Sequence, residues 1–251
     1  MQSLLYKLIA GVVVVLALIG FVIYMKSATR GIHSTFVDDL KAANSKSGMP
    51  DLPDISKLRA AAQKDPNSAK AQATLAHALF RHAEYTEALP VFETAIRLNP
   101  TDAELLFERA KIRENTGHRA EALPDYEQTV MVDPKHIPAM LRAAELWRYE
   151  RDPSRSIQWC RRVLELEPNN AAAHRHWALA LEQQGESAQA ISEFEAALRA
   201  DPNNDTVFYE MGMTYKRMGD IRSAHDAFDR ACKLNPRSRA CTEAHYSNSN
   251  E

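Results

Sequence analysis

LNPTDAEL, residues 98–105, is an amphipathic run that halts at Asn99-Pro100 and restarts at once with Thr101-Asp102. Proline lacks an amide hydrogen and its ring clashes with the preceding turn, so a helix arriving at Leu98 ends there. Thr101 and Asp102 carry the side-chain oxygens that cap a new helix. The same stop stands at Pro66, Pro134, Pro168, Pro202 and Pro236, with Pro100 completing a ladder of 34-residue steps. A period of that length marks stacked structural repeats.

Aligned on the prolines, five units follow one another without insertion: 69–102, 103–136, 137–170, 171–204 and 205–238. Each holds two helical stretches. In the last unit Phe208, Met211, Gly212 and Tyr215 fall on one helical face, and Ala224, Phe228 and Ala231 line the inner face of the second stretch. Gly117, Gly185 and Gly219 share the turn position between the stretches, where a residue at ease with positive φ ends a helix. A small residue recurs early in each unit (Ala76, Ala110, Ala144, Ala178, Gly212) and again later (Ala88, Ala122, Ser156, Ala190, Ala224). Four residues after the second of these comes a large one in most units: Phe92, Tyr126, Cys160, Phe194 and Phe228. Short helices are marginal alone and must bury an apolar face against a neighbour, so small residues mark close crossings and the aromatic fills the space between units.

This pattern resembles the tetratricopeptide repeat (W-x2-L-G-x2-Y, A-x3-F, then Ala and Pro) across residues 69–238, about two thirds of the chain. The resemblance implies an all-α fold: a right-handed α-solenoid of five helix pairs over residues 54–246, with a tail at 247–251. Ile55–Pro66 reads as an N-terminal half-unit, and residues 237–246 as a C-terminal cap. In the family, first helices line a concave surface through positions two, five, nine and twelve of each unit, and that surface binds peptides. Carried onto this chain, the candidates are Phe80, Phe107, Lys111, Leu141, Arg148, Arg175, Tyr209, Met213 and Lys216. Position nine holds His77, Lys111, Glu145, Leu179 and Met213 rather than the asparagine of repeats that clamp chaperone C-termini, which argues against that specialisation. The chain also departs from the family. Arg109 and Arg113 stand where apolar residues are preferred, Cys160 replaces the aromatic, and the RDPS turn of the third unit has no glycine. Pro90 and Pro124 are expected near the fourth position of their helices. The third unit is expected to be the least regular.

Upstream, Leu8–Met25 is 18 uncharged residues between Lys7 and Lys26. At ~1.5 Å per residue it covers ~27 Å, close to the hydrocarbon thickness of a bilayer. Residues 1–26 therefore read as an uncleaved transmembrane anchor, since KSATRG does not supply a small-x-small cleavage site. Residues 27–53, with SKSGMPDLPD, read as a linker. Flanking charges are nearly balanced and do not settle which side the repeats occupy; a bacterial inner membrane with the repeats in the periplasm is the expectation.

Composition narrows the function. With 31 Lys and Arg against 33 Asp and Glu there is no basic excess to neutralise phosphates, so nucleic acid is not an expected partner. No phosphate loop, nucleophile elbow or helical zinc pair stands out; His174 and His176 lie two apart and point to different sides. No enzyme activity, metal or cofactor is expected. Cys232 and Cys241 flank Pro236 almost symmetrically, so antiparallel helices would bring them face to face. They are either a disulfide pinning the cap, which would imply an oxidising compartment, or two ordinary small residues near the chain end. Cys160 reads as an apolar filler. The expected function is a membrane-anchored scaffold that binds proteins or peptides in a concave groove, in assembly of a bacterial envelope complex. Alternatives are a permanent structural subunit of a membrane complex, or a quality-control adaptor.

Overall fold

The computed structural model describes residues 54–248. The expected span Leu8–Met25 and the linker lie outside the described residues, and none of the described helices is long and apolar enough to cross a membrane. The chain divides after Pro53, and the second unit, Asp54–Glu251, holds every described element.

Twelve helices follow one another among the described residues. They are α1 (Ile55–Lys64), α2 (Ala69–Arg81), α3 (Tyr85–Leu98), α4 (Ala103–Asn115), α5 (Arg119–Val132), α6 (Ile137–Tyr149), α7 (Pro153–Leu166), α8 (Ala171–Gln184), α9 (Ser187–Ala200), α10 (Asp205–Met218), α11 (Ile221–Leu234) and α12 (Arg239–Asn248). Helices α2 to α11 are the five pairs, α1 the half-unit and α12 the cap, which continues two residues past the expected end at 246.

The joints are built as LNPTDAEL suggests. The Asn99 N–H closes α3 on the Ala95 carbonyl at 2.8 Å, and the Asp102 carboxylate accepts the Leu105 N–H at 3.3 Å to open α4. Ser68, His136, Asn170 and Asn204 cap α2, α6, α8 and α10 in the same way. Within the units, Gly117, Gly185 and Gly219 take φ of 88°, 81° and 81°. At the same position the first and third units place Ala83 and Arg151, at φ 57° and 60°. So the glycine-free RDPS turn keeps the geometry and accepts a left-handed arginine, a conformation that costs an L-residue about 1 kcal/mol. The third unit is otherwise regular: α6 and α7 match the lengths of their counterparts. Pro90 and Pro124 are the sixth residues of α3 and α5, not the fourth, because both helices begin earlier than the pattern suggested.

The packing follows the small and large positions. Phe92, Tyr126, Phe194, Phe228 and Cys160 are all fully buried, as are Ala76, Ala110, Ala144 and Ala178. Burial pushes the Cys160 thiol up to about 12, which leaves it an inert filler. At Gly212 a Cβ would stand 2.7 Å from two ring carbons of Phe228, so α10 and α11 cross closer than any side chain allows. First helices of adjoining units touch, α2 on α4 and α6 on α8, whereas second helices of adjoining units scarcely meet. The first-helix layer is therefore the shorter, inner side of the stack. At its end Cys232 of α11 and Cys241 of α12 are joined by a disulfide, with their Cα atoms 4.7 Å apart.

Arg109 and Arg113, the residues that broke the family pattern, converge on one carboxylate. Arg109 donates to both oxygens of Asp125 at 2.9 and 2.6 Å, and Arg113 donates to it at 2.7 Å. The Asp125 side chain is 5% exposed. A largely buried triad of charges thus joins α4 to α5, with Asp125 at the position where the first, third and fifth units place Val91, Trp159 and Ala227.

Candidate peptide-binding groove

The inner layer is five parallel-running first helices, and the side chains that cross between them determine what it can hold. In the second, third and fifth units the residue at position six reaches back to the preceding first helix. Glu108 meets His77 at 2.6 Å, Arg142 pairs with Glu114, and Glu210 receives a two-pronged hydrogen bond from Arg175 at 2.7 and 2.5 Å. His176 stands at the same position in the fourth unit. These crossings were not among the sequence candidates; the signal was present as an ionisable residue at one fixed position of four consecutive units.

The candidates divide into two groups. Phe80, Phe107 and Lys111 come together: the Lys111 ammonium lies 4.8 Å from the Phe80 ring centre and 5.4 Å from that of Phe107. Phe107, Lys111 and Leu141 also line a cavity of about 420 Å³, closed by Glu114, Arg142 and His176. Arg148 lies on the next turn of α6, its guanidinium 4.5 Å from the Tyr149 ring centre. The C-terminal candidates are engaged in the fold. Arg175 is held by Glu210, Lys216 by Glu243 at 2.7 Å, Tyr209 packs 5.8 Å from Phe228, and Met213 leans on the same core. The usable inner surface is thus concentrated between α4, α6 and α8. A larger cavity of about 570 Å³ lies elsewhere, between α9, α10 and α11, with Phe208, Met211 and Arg230 in its wall. It is walled by two second helices and the first helix α10, and involves none of the candidates.

Electrostatics sharpen the cavity. The hydrogen bond it donates to Glu108 holds the His77 imidazole above its ordinary pKa despite partial burial. His176 goes the other way: burial, reinforced by Arg175, Arg148 and Arg142, lowers it to about 3 and keeps the ring neutral. Burial, with the Glu114 carboxylate beside it, raises the Tyr126 phenol, whose O–H donates to Glu114 at 2.9 Å. Among the described residues no cluster of His, Cys, Asp and Glu is arranged to hold a metal ion.

Comparison with known proteins places this geometry. Residues 69–112 and 171–213 match one tetratricopeptide repeat family model, and residues 206–238 match a second. The intervening 113–170 holds Arg113, Asp125 and Cys160, where the chain departs from the pattern. No curated protein matches the chain significantly in sequence. Among solved structures, YrrB, described as a TPR protein with an unusual peptide-binding site, is 20% identical with a TM-score of 0.63, covering 75% of this chain and 97% of its own. MamA from Desulfovibrio magneticus is 20% identical with a TM-score of 0.62, covering 67% of this chain and 95% of its own. A tetratricopeptide repeat protein from Parabacteroides merdae is 17% identical with a TM-score of 0.62, covering 77% of this chain and 80% of its own. With the proline ladder, the paired helices and the matched units in agreement, the chain is a tetratricopeptide-repeat protein.

Proposed function

We propose that this protein is a membrane-anchored scaffold whose inner first-helix face holds a segment of a partner protein during assembly of a bacterial envelope complex. Tetratricopeptide arrays generally bind proteins or peptides, and the observation that carries the reading here is the cavity at Phe107, Lys111 and Leu141. It offers apolar wall and a cation side by side on the inner layer, the combination that seats an aromatic or aliphatic anchor with a polar neighbour. YrrB, which shares the fold, is described as having a peptide-binding site of its own. The apolar run Leu8–Met25 supports anchoring, and the Cys232–Cys241 bond supports an oxidising side of the membrane, hence the periplasm. The role is binding rather than catalysis.

A second reading, a permanent subunit of a membrane complex, is favoured by apolar side chains left at the ends of second helices: Met131 is 81% exposed, and Leu166 and Leu234 are each 41% exposed. Photocrosslinking in cells separates the two. A benzophenone amino acid in place of Phe107 should yield adducts to a partner that diminish when untagged competitor protein is induced before irradiation, whereas one in place of Met131 should yield none. Adducts arising from Met131 alone, in fixed stoichiometry, would decide for the subunit.

A further inference from the structure

All six glutamates of the first helices have an arginine or histidine partner: Glu104 with His136, Glu108 with His77, Glu114 and Glu145 with Arg142, Glu182 with Arg217, and Glu210 with Arg175. The cations of the same layer are not all matched in return. Lys111 and Arg148, both half-buried, meet aromatic rings and no carboxylate among the described residues, and the Arg148 Nε is buried without a hydrogen bond. Contact with a ring offsets part of the cost of drying a cation, but less than an anion would. Lys111 lines the cavity together with Glu114, Arg142, Glu145 and His176, the last 7% exposed with an unpartnered Nδ1, and Arg148 follows one turn beyond Glu145 on α6. Both carboxylates of the lining are held by Arg142, so the cations left without an anion in this stretch are Lys111 and Arg148, and the His176 Nδ1 is a polar group that no protein atom satisfies.

We infer that the cavity is a subsite for an acidic peptide segment, one side-chain carboxylate seating at Lys111 and a second at Arg148, with an aromatic or leucine side chain between them on Phe107 and Leu141. This inference rests on the groove reading above and names its occupant. Lys111 is at position nine of its unit and Arg148 at position twelve of the next. First helices ~8–10 Å apart, with three residues of axial offset, put the two backbones roughly 10 Å apart. An extended peptide covers that in about three residues. The carboxylates are those of side chains within the peptide, so its free C-terminus is not required.

The test presents the full-length chain to a phage-displayed library of random short peptides whose C-termini are fused to the coat protein, so that side chains supply every carboxylate. Selected peptides should carry Asp or Glu about three residues apart around an aromatic or leucine. As synthetic amides they should bind about tenfold more weakly to Lys111→Glu or Arg148→Glu, with Arg222→Glu, exposed on the second helix α11, leaving affinity unchanged. Thermal melting followed by circular dichroism shows whether each variant folds; Lys111→Met, which keeps a stem over the rings, replaces Lys111→Glu if the latter does not. Peptides that are neutral or basic, yet lose affinity on Leu141→Ala, would overturn the acidic subsite and leave the groove standing. Failure to select any peptide, or binding indifferent to Lys111, Phe107 and Leu141 alike, would overturn both.

Discussion

The second and fifth units share length, topology and joints, yet solve the same packing problem with opposite chemistry. In the fifth, α10 and α11 meet through Gly212 and the fully buried Phe228, a contact with no polar atoms at its centre. In the second, α4 and α5 meet through Ala110 and Tyr126 beside a buried triad of Arg109, Arg113 and Asp125, and the Tyr126 hydroxyl reaches Glu114. Apolar contact stabilises in proportion to the surface it removes from water, whereas a buried triad stabilises little relative to a well-packed apolar substitute and fixes which groups must face each other. The fifth unit is thus built for stability. The second is built for definite placement of side chains, and it borders the groove together with the third and fourth units.

Removing one side chain from each contact should expose that difference. Phe228→Ala should cost ~3 to 5 kcal/mol, the lost burial plus the cavity left beside Gly212. Asp125→Ala should cost ~3 kcal/mol although it deletes fewer atoms, because Arg109 is left largely buried without a counter-charge and Arg113 keeps only Glu121 at 3.7 Å. Equilibrium unfolding in denaturant measures both. The comparison breaks if replacing the whole triad with Leu or Met, rather than Asp125 alone, is equally damaging; an apolar trio should be near neutral.

Acid should strain the charged middle next. The folded pKa of His176, about 3, lies below its ordinary 6.5, so from pH 6.5 downward the unfolded chain takes up a proton that the folded chain refuses. Stability is therefore lost on acidification, by on the order of 3 kcal/mol at about pH 4. His176→Gln should flatten the pH dependence of unfolding across that window by about one proton. His77, raised by Glu108, acts in the opposite sense: its contribution is present below 6.5 and fades as pH rises through its folded value. If the slope below pH 6.5 survives in His176→Gln, its cause lies elsewhere.

The proline ladder made the helix pairs and their joints readable from the sequence, because each rests on local chemistry repeated at fixed spacing, whereas the inner layer came from the resemblance to the tetratricopeptide repeat. Cys232 and Cys241 were also legible, as positions nearly symmetric about a joint. What was not legible depended on which side chains meet across units. Arg109 and Arg113 showed as exceptions to a pattern, but that both reach Asp125 follows from the crossing of α4 and α5, which no spacing encodes. Likewise the family's groove positions gave Arg175 and Lys216 the same standing as Phe107 and Lys111. Only the partners Glu210 and Glu243 reveal that the first two are committed to the fold.

The smallest expected effect tests the apolar side of the comparison most directly. Gly212→Ala adds one methyl at a crossing where the added carbon would lie 2.7 Å from the Phe228 ring, closer than van der Waals contact permits. The ring sits in a filled core and α10 and α11 are fixed by their joints, so relief requires a shift of backbone or ring, at ~1 to 3 kcal/mol. Alanine is the better helix former by ~1 kcal/mol, which offsets part of that cost and makes the single substitution ambiguous by itself. The coupling is not ambiguous. In a Phe228→Leu background the ring that the methyl strikes is gone, and Gly212→Ala should become neutral or mildly stabilising. A double-mutant cycle should therefore give a coupling of about 1 to 2 kcal/mol between the two positions. Additive costs would mean that the two helices do not cross where the glycine stands, and that the fifth unit owes its packing to something other than close approach.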